Sequence, residues 1–243
     1  MRRCLLVCFV LALSACVGAP TRSAEAAAAT PSAPAALAAE GAAPRDPDKW
    51  EADIRAFEAE DARVRRRPGG VVFVGSSSIR YWTSLDQDFP GVASINRGFG
   101  GSRVYDSLRY AERIVLPYRP RAVVFYAGDN DLSEGRSPQQ VRDDFAAFAQ
   151  RVRQAEPQAR IGFVSIKPSP SRAALLPQVR AANALVRDYA ERADGVDYLD
   201  VYTPMLDGEG APRETLFLQD RLHMNGDGYA IWKHVVGAWL GAL

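Results

Sequence analysis

Short apolar runs rich in β-branched residues alternate along the chain with longer stretches in which apolar residues recur at helical spacing. Several of the short runs are continuously apolar, which is typical of strands covered on both faces of a parallel sheet. Strands are predicted at residues 71–74, 92–95, 122–126, 161–166 and 196–201. Helices are predicted between and after them, at residues 78–85, 104–116, 138–155, 173–193 and 226–240.

One more helix is predicted ahead of the first strand. Asp46 and Pro47 are typical of a helix cap and the first helical position. Apolar residues then recur at helical spacing over residues 50–57, until Pro-Gly-Gly at residues 68–70 ends the pattern. The folded domain is therefore predicted to begin at residue 46.

The succession of strands and helices predicts the fold class. Five β-α units in a row indicate a parallel sheet with helices on both faces, because parallel strands need crossover connections. We predict an α/β protein, a three-layer α/β/α sandwich around a central, mainly parallel five-stranded sheet, in one domain over residues 46–243. Ligands of open sheets of this kind bind beyond the carboxyl ends of the strands. The loops that follow the strands are therefore where chemistry is expected.

Composition and charge exclude several classes of protein. The chain has 243 residues, 47% of them hydrophobic and 24% charged, which excludes disorder throughout and a collagen-like repeat. Thirty basic and twenty-nine acidic residues give a formal net charge of +1, and the basic residues are scattered among the acidic ones. Because such a chain creates no overall field that attracts phosphates, we expect no nucleic-acid partner.

The cysteines and histidines leave little material for a metal site. All three cysteines lie within the first sixteen residues, and the only histidines are His223 and His234. A zinc site would need mostly carboxylates, which is uncommon for that ion. No nucleotide-binding fingerprint occurs either, so we expect no metal and no cofactor. His234 falls inside the last predicted helix and is predicted to be structural.

The first fifteen residues have the pattern of a secretory signal, with a positive start and an apolar run at residues 4–13 that is too short to span a bilayer. The run ends in Leu-Ser-Ala before Cys16, which resembles the lipobox of bacterial lipoproteins. This resemblance implies a signal peptide at residues 1–15, a lipid on Cys16 and a place in the bacterial cell envelope. Val17 favours the outer membrane or periplasm. The alternative is a plain signal peptide in which Cys16 has no role.

A linker is predicted between Cys16 and the folded domain. Residues 17–45 contain thirteen alanines and four prolines, with Val17 and Leu37 as the only larger apolar side chains. Such a stretch cannot bury a core. Residues 16–45 are therefore predicted to be a lipidated cysteine and a linker, which would reach on the order of 100 Å if fully extended.

A serine-rich turn follows the first predicted strand. In Gly75-Ser76-Ser77-Ser78 a serine stands at the start of a helix, where it could be a nucleophile or could simply cap the helix. The turn is not a phosphate-binding Walker loop, because no Gly-Lys follows. It is not an α/β-hydrolase elbow either, because Ile79 occupies the place of the second glycine.

Two further loops contain candidate groups. The glycine-rich residues 96–102 follow the second strand and could turn backbone N–H groups toward an anion, or could form a simple turn. Asn130 follows the third strand between Asp129 and Asp131. Its amide could donate to an oxyanion, or the run could be an Asx turn with two solvated aspartates.

Near the C-terminus, Asp220 stands three residues before His223. Its carboxylate could bond Nδ1 of the imidazole and leave Nε2 free to take a proton from a serine. Together with the three loops, this block resembles the SGNH hydrolases, also called GDSL-type lipases and esterases, over nearly all of residues 70–243. The resemblance implies a flavodoxin-like fold, a catalytic triad and an oxyanion hole. The triad residues are Ser77, Asp220 and His223, and the oxyanion donors are the N–H groups of Ser77 and Gly101 and the amide of Asn130.

The sequence departs from the family pattern at one place. Gly75-Ser76-Ser77-Ser78 stands where the family has Gly-Asp-Ser-Leu. The missing aspartate belongs to structural hydrogen bonding more than to acyl chemistry, so activity is expected to survive. The departure leaves the neighbours of Ser77 open as alternative nucleophiles.

The expected function is that of a serine esterase with an acyl-serine intermediate. Short links between the elements leave little material for a lipid-covering lid, so small acyl groups on glycans or on soluble esters are the expected substrates. Two alternatives remain, acyl transfer to a glycan and a non-enzymatic glycan-binding lipoprotein. The side chains near the motifs that could receive a sugar or an anion, or could be surface packing, are Arg80, Tyr81, Trp82, Arg97 and Arg103.

Overall fold

The computed structural model describes residue 46 and residues 48–243. The predicted signal peptide, Cys16 and the linker lie outside these residues. The strands are β1 Val71–Gly75, β2 Ser94–Gly98, β3 Ala122–Tyr126, β4 Arg160–Val164 and β5 Val196–Leu199. The helices are α1 Glu51–Asp61, α2 Ser77–Arg80, α3 Leu85–Asp88, α4 Val104–Ile114, α5 Asp129–Ser133, α6 Pro138–Ala155, α7 Leu176–Ala190 and α8 Gly226–Gly241. Single 3₁₀ turns occur at Leu116–Tyr118, Thr203–Met205 and Glu214–Leu216, and a longer, kinked 3₁₀ segment occurs at Pro170–Leu175.

The five strands form one sheet in the order β2-β1-β3-β4-β5, and every neighbouring pair is parallel. The predicted α/β fold with a parallel five-stranded sheet is therefore confirmed. β1 lies between β2 and β3, in a register that places Gly75 opposite Gly98 on one side and Tyr126 on the other. The carboxyl ends of these three strands meet at one edge, so the loops that follow them are neighbours.

Apolar residues cover both faces of the sheet. In β1, Val72 and Val74 pack into one buried cluster, while Val71 and Phe73 pack into the other. The first cluster includes side chains of α1, α4, α6 and α7, and the second includes side chains of α2, α3 and α8. This arrangement is the predicted three-layer sandwich. No helix within residues 48–243 has both the length and the apolar character of a membrane span.

Several predicted boundaries differ from the structure. The first helix begins at Glu51 and not at residues 46–47, because residues 48–50 form a turn, although Asp46 accepts the N–H of Asp48 as a helix cap does. The predicted helix at residues 78–85 consists of two short helices, α2 and α3, and Trp82 between them is buried. The strand predicted at residues 92–95 is displaced to Ser94–Gly98, since pairing with β1 and not apolar content sets its register.

The turn after β1 depends on the absence of a side chain at Gly75. Its φ is 138°, a value that L side chains rarely adopt, and a Cβ at this position would overlap the carbonyl oxygen of Tyr126 on β3. The same oxygen accepts a hydrogen bond from the N–H of Ser76 at 2.9 Å. Glycine therefore lets the chain leave the sheet directly against β3.

Gly75→Ala is expected to lower the free energy of unfolding by at least about 2 kcal/mol, because the new methyl group adds strain and overlap. The matched control is Gly208→Ala, since no atom lies within 4 Å of the position that its methyl group would take and its φ is not positive. The control is expected to stay within about 0.5 kcal/mol of the parent. Urea unfolding of the three proteins checks this, and equal stabilities for the two variants would contradict it.

Candidate active site

Ser77 is the first residue of α2, directly beyond the end of β1. Its Oγ lies 3.0 Å from Nε2 of His223. Ser76 and Ser78 are buried, and among the described residues their hydroxyl groups have no hydrogen-bond partner. Of the three consecutive serines, Ser77 is thus the one that the structure places against the imidazole.

The imidazole of His223 contacts Asp220 through its other ring nitrogen. Nδ1 lies 2.6 Å from Asp220 Oδ2, so a proton on Nδ1 leaves Nε2 as the acceptor for the Ser77 hydroxyl. The other carboxylate oxygen accepts the N–H groups of Leu222 and His223 at 2.9 Å. Partial burial raises the pKa of Asp220, but these hydrogen bonds outweigh it and lower the pKa to about 2. The carboxylate is therefore charged at neutral pH.

A tight turn in the connection between β5 and α8 presents the Asp220–His223 pair. The N–H of Leu218 donates to the carbonyl of His223 at 2.8 Å, and the N–H of Arg221 donates to the carbonyl of Leu218 at 2.9 Å. Arg221 has a φ of 56°, in the left-handed region. The ring of Tyr81 packs edge-on against the imidazole, with 4.9 Å between ring centroids. The backbone hydrogen bonds of the turn and the ring of Tyr81 therefore fix the position of the imidazole.

Asn130 and the loop after β2 are joined by a hydrogen bond. The Asn130 Nδ2 group donates to the carbonyl of Ser102 at 3.0 Å. Gly101, directly before Ser102, has a φ of 73°. The indole N–H of Trp50 holds the same loop by donating to the carbonyl of Gly100 at 2.9 Å. The predicted oxyanion residues therefore occupy adjacent loops at one edge of the sheet.

The two aspartates beside Asn130 are buried, so the alternative of two solvated aspartates is wrong. Asp129 Oδ2 lies 3.0 Å from Lys167 Nζ and 3.2 Å from an Arg172 guanidinium nitrogen. Burial raises the pKa of Asp129, but the charges of Lys167 and Arg172 outweigh it and hold the pKa below its usual value. Asp129 is therefore an ionised group beneath the site.

Asp131 has a different environment. Both of its oxygens accept the N–H of Val104 at 3.2 Å, and Arg136 lies 3.6 Å away. Burial raises the pKa of Asp131 to about 7, although Arg136 acts in the opposite direction. Arg136 also pairs with Asp144 of α6. Asp131 thus connects α5 to the start of α4.

Sequence reasoning missed Lys167 and Arg172, which follow β4 at the same edge of the sheet. Two signals could have found them. Lys167 directly follows the strand predicted at residues 161–166, with Arg172 five residues further along, and Lys167 is one of only three lysines in a chain with thirty basic residues. Within residues 48–243, no group of three or more histidine, cysteine or carboxylate side chains is arranged to hold a metal ion.

The basic and aromatic side chains predicted near the site have different roles. Arg97 and Trp82 are buried, and Arg97 pairs with Glu60 and Asp61, so both are structural. Arg103 is also buried, with a guanidinium nitrogen 2.8 Å from Glu134.

Tyr81 and Arg80 are the two of this group that are about half exposed. Tyr81 contacts His223, whereas Arg80 lies 3.8 Å from Asp53. His234, predicted to be structural, is exposed on α8.

The chain is similar to known proteins in sequence and in fold. Residues 75–231 match the model of the GDSL-like lipase/acylhydrolase family. Platelet-activating factor acetylhydrolase IB subunit alpha1 from Bos taurus is 28% identical over 167 residues, which cover 65% of this chain and 69% of that protein.

Solved structures share the fold. A GDSL-like lipase from Bacteroides thetaiotaomicron superposes with a TM-score of 0.69 at 23% identity, over 79% of this chain and 99% of its own. A carbohydrate esterase family 3 protein from Talaromyces cellulolyticus gives a TM-score of 0.56 at 17% identity, over 71% of this chain and 96% of its own. The family match covers well over half of the chain. The chain therefore belongs to the GDSL-like lipase/acylhydrolase family, as the resemblance to the SGNH hydrolases implied, and it is an ester hydrolase.

Proposed function

We propose that the protein is a serine esterase that cleaves carboxylic esters through an acyl-serine intermediate. The observation that carries this proposal is the pair of contacts that His223 makes. Its Nδ1 lies 2.6 Å from Asp220 Oδ2, and its Nε2 lies 3.0 Å from Ser77 Oγ. A nucleophile within hydrogen-bond reach of a base, and a base oriented by a third group, form the arrangement that activates a serine hydroxyl.

The steps follow from which atoms carry protons. His223 Nε2 removes the hydroxyl proton of Ser77 as Oγ attacks the ester carbonyl carbon. The tetrahedral intermediate expels the alcohol, which takes the proton from Nε2, and leaves the acyl group on Oγ. Water then attacks this ester and gives a proton to Nε2, and the proton returns to Oγ when the acid departs. Asp220 accepts the Nδ1–H throughout and stabilises the imidazolium that forms.

The oxyanion of both tetrahedral intermediates needs hydrogen-bond donors. The N–H groups of Ser77 and Gly101 and the side-chain amide of Asn130 are the proposed donors. Their loops follow β1, β2 and β3, which are neighbouring parallel strands. Donors that are in place before the reaction stabilise the charge as it develops, without reorganisation during the step.

Small acyl groups on glycans or on soluble esters are the proposed substrates. The bovine relative is named an acetylhydrolase, which favours a short acyl group. The longest connection near the site, residues 200–225, is tied down by its own turns, since Asp207 accepts the N–H groups of Glu209 and Ala211 and Asn225 donates to Thr215. Met205, Leu216 and Phe217 of this segment are buried in the second core cluster, so the segment is folded against the domain and is not available as a large lid.

A groove of about 360 Å³ suits the alcohol part of such an ester. Its walls include Tyr81, Tyr229 and the ion pair between Asp88 and Lys233, at 3.1 Å. Aromatic rings accept the apolar face of a sugar, and the charged pair can bond its hydroxyl groups. Tyr81 links the groove to His223, which delivers the proton to the leaving alcohol.

Ser77→Ala is expected to lower kcat for p-nitrophenyl acetate by about 10⁴-fold or more, because no other group takes the acyl chain. Ser78→Ala is the matched control, since its hydroxyl is buried and makes no hydrogen bond with His223, and it is expected to keep most of the parent's turnover. Circular dichroism checks that both variants fold. A folded parent without turnover would contradict the proposal and favour glycan binding or acyl transfer, and product analysis with a glycan acceptor would identify transfer. An active Ser77→Ala would contradict the assignment of Ser77 as the nucleophile.

The substrate proposal predicts a preference for short acyl chains. We expect kcat/KM for acetyl esters to exceed that for p-nitrophenyl palmitate by at least about 10-fold. An acetylated oligosaccharide is expected to have a lower KM than ethyl acetate, and Tyr81→Ala is expected to remove most of this difference by removing a wall of the groove. A preference for palmitate would contradict the short-chain proposal, and equal KM values in the parent would contradict the glycan proposal.

We also propose that the lipid on Cys16 and the linker over residues 17–45 hold the esterase domain at the bacterial envelope. The support is the Leu-Ser-Ala sequence before Cys16. The full chain expressed in a bacterium is expected to enter the detergent phase on phase separation, and Cys16→Ser is expected to stay in the aqueous phase. Aqueous partition of the unaltered chain would contradict lipidation.

A further inference from the structure

Arg172 binds the carbonyl oxygen of the Asn130 side-chain amide. An Arg172 guanidinium nitrogen donates to Asn130 Oδ1 at 2.9 Å, while Asn130 Nδ2 donates to the carbonyl of Ser102 at 3.0 Å. Arginine has only donors and a carbonyl only accepts, so these two neighbours permit one orientation of the amide. Among the described residues, the second Nδ2 proton has no acceptor, and it is therefore available to a ligand.

Arg172 is itself held in place by Asp129. One guanidinium nitrogen lies 3.2 Å from Asp129 Oδ2, and another bonds Asn130, the next residue along the chain. Lys167 reaches the same oxygen of Asp129 at 3.0 Å and also donates to the hydroxyl of Tyr126 at 3.1 Å. Two cations therefore share one buried carboxylate. The cluster of Asp129, Lys167 and Arg172 has a surplus positive charge next to the Asn130 amide.

The loop that carries Arg172 is also attached to the histidine turn. Arg172 lies at a kink in the 3₁₀ segment Pro170–Leu175, where its own φ and ψ are not helical, and its N–H donates to the carbonyl of Ser169 at 2.9 Å. The N–H of Ser171 donates to the carbonyl of Arg221 at 3.0 Å. Since Arg221 lies between Asp220 and His223, the guanidinium is fixed relative to the imidazole as well as to the amide.

We propose that Arg172 is a positioning residue that holds the Asn130 amide with its free Nδ2–H toward the ester carbonyl and strengthens that donor. This inference rests on the proposed serine-esterase function. A charge-assisted hydrogen bond to an amide oxygen polarises the amide and makes its N–H groups better donors. A preorganised and polarised donor stabilises the oxyanion more than it stabilises the neutral ester, so its effect falls on kcat.

A double-mutant cycle on kcat tests this proposal. Asn130→Ala is expected to lower kcat by about 10² to 10³-fold. Arg172→Ala is expected to lower it by about 10-fold or more with little change in KM, because the oxyanion forms in both acylation and deacylation. The double variant is expected to be no slower than Asn130→Ala alone, because Arg172 acts through the amide.

Two further variants serve as a conservative replacement and as a control. Arg172→Lys keeps a cation and a donor and is expected to have a kcat between those of the parent and Arg172→Ala. Arg180→Ala removes an exposed arginine of α7 and is the matched control for the loss of charge, with an unchanged kcat. A double variant in which the two losses multiply, or an Arg172→Ala that changes KM alone, would overturn the proposal. If Arg172→Ala does not fold, Arg172→Lys with and without Asn130→Ala gives the same comparison.

A second measurement does not depend on catalysis. In nuclear magnetic resonance spectra of the parent, the two Nδ2 protons of Asn130 are expected to give separate signals, and the proton bonded to Ser102 is expected to exchange slowly with water. In Arg172→Ala these signals are expected to shift and exchange faster. Unchanged signals would overturn the role of Arg172 even in a protein that hydrolyses no ester. Absence of turnover in the parent would instead overturn the proposed function, so the two failures are distinguishable.

Discussion

The packing of α8 against the segment after β1 is the interaction on which the site depends. Ser77 and His223 are 146 positions apart in the chain, and Ser77 begins α2 while His223 lies just before α8. The ring of Trp232 on α8 packs against the ring of Trp82, with 5.8 Å between the ring centroids. The hydroxyl of Tyr229, also on α8, donates to the carbonyl of Ser78 at 2.9 Å. Burial of two indole rings contributes a large apolar area at one point. Loosening this contact would separate the base from the nucleophile.

The sheet supplies the second constraint. Because β1, β2 and β3 pair in parallel, their carboxyl ends lie side by side, and short loops are enough to bring Ser77, Gly101 and Asn130 to one edge. The backbones come close enough at this edge that a Cβ at Gly98 would overlap the backbone N of Arg80. The positions of the loops are thus set by strand pairing and close packing, and the loops themselves need little internal stability.

Much of this arrangement is predictable from the sequence, and the part that is not has a physical reason. The five strands and the site motifs follow from apolar patterning and from polar residues after strands, which are local signals. The register of β2 depends on its partner, so the sequence places it two residues too early. Lys167 and Arg172 could not be assigned to Asp129 and Asn130, because nothing local indicates which charges will be buried together.

The buried charges explain how a short helix can hold Asn130. α5 has five residues, too few for a helix that is stable by itself. Asp129 is held by Lys167 and Arg172 on one side, and Asp131 accepts the N–H of Val104 on the other. Burying these groups costs free energy, and removing one partner leaves an uncompensated charge or acceptor. The network is therefore favourable only as a complete set. Asn130, which lies between the two aspartates, has a definite position only while that set is intact.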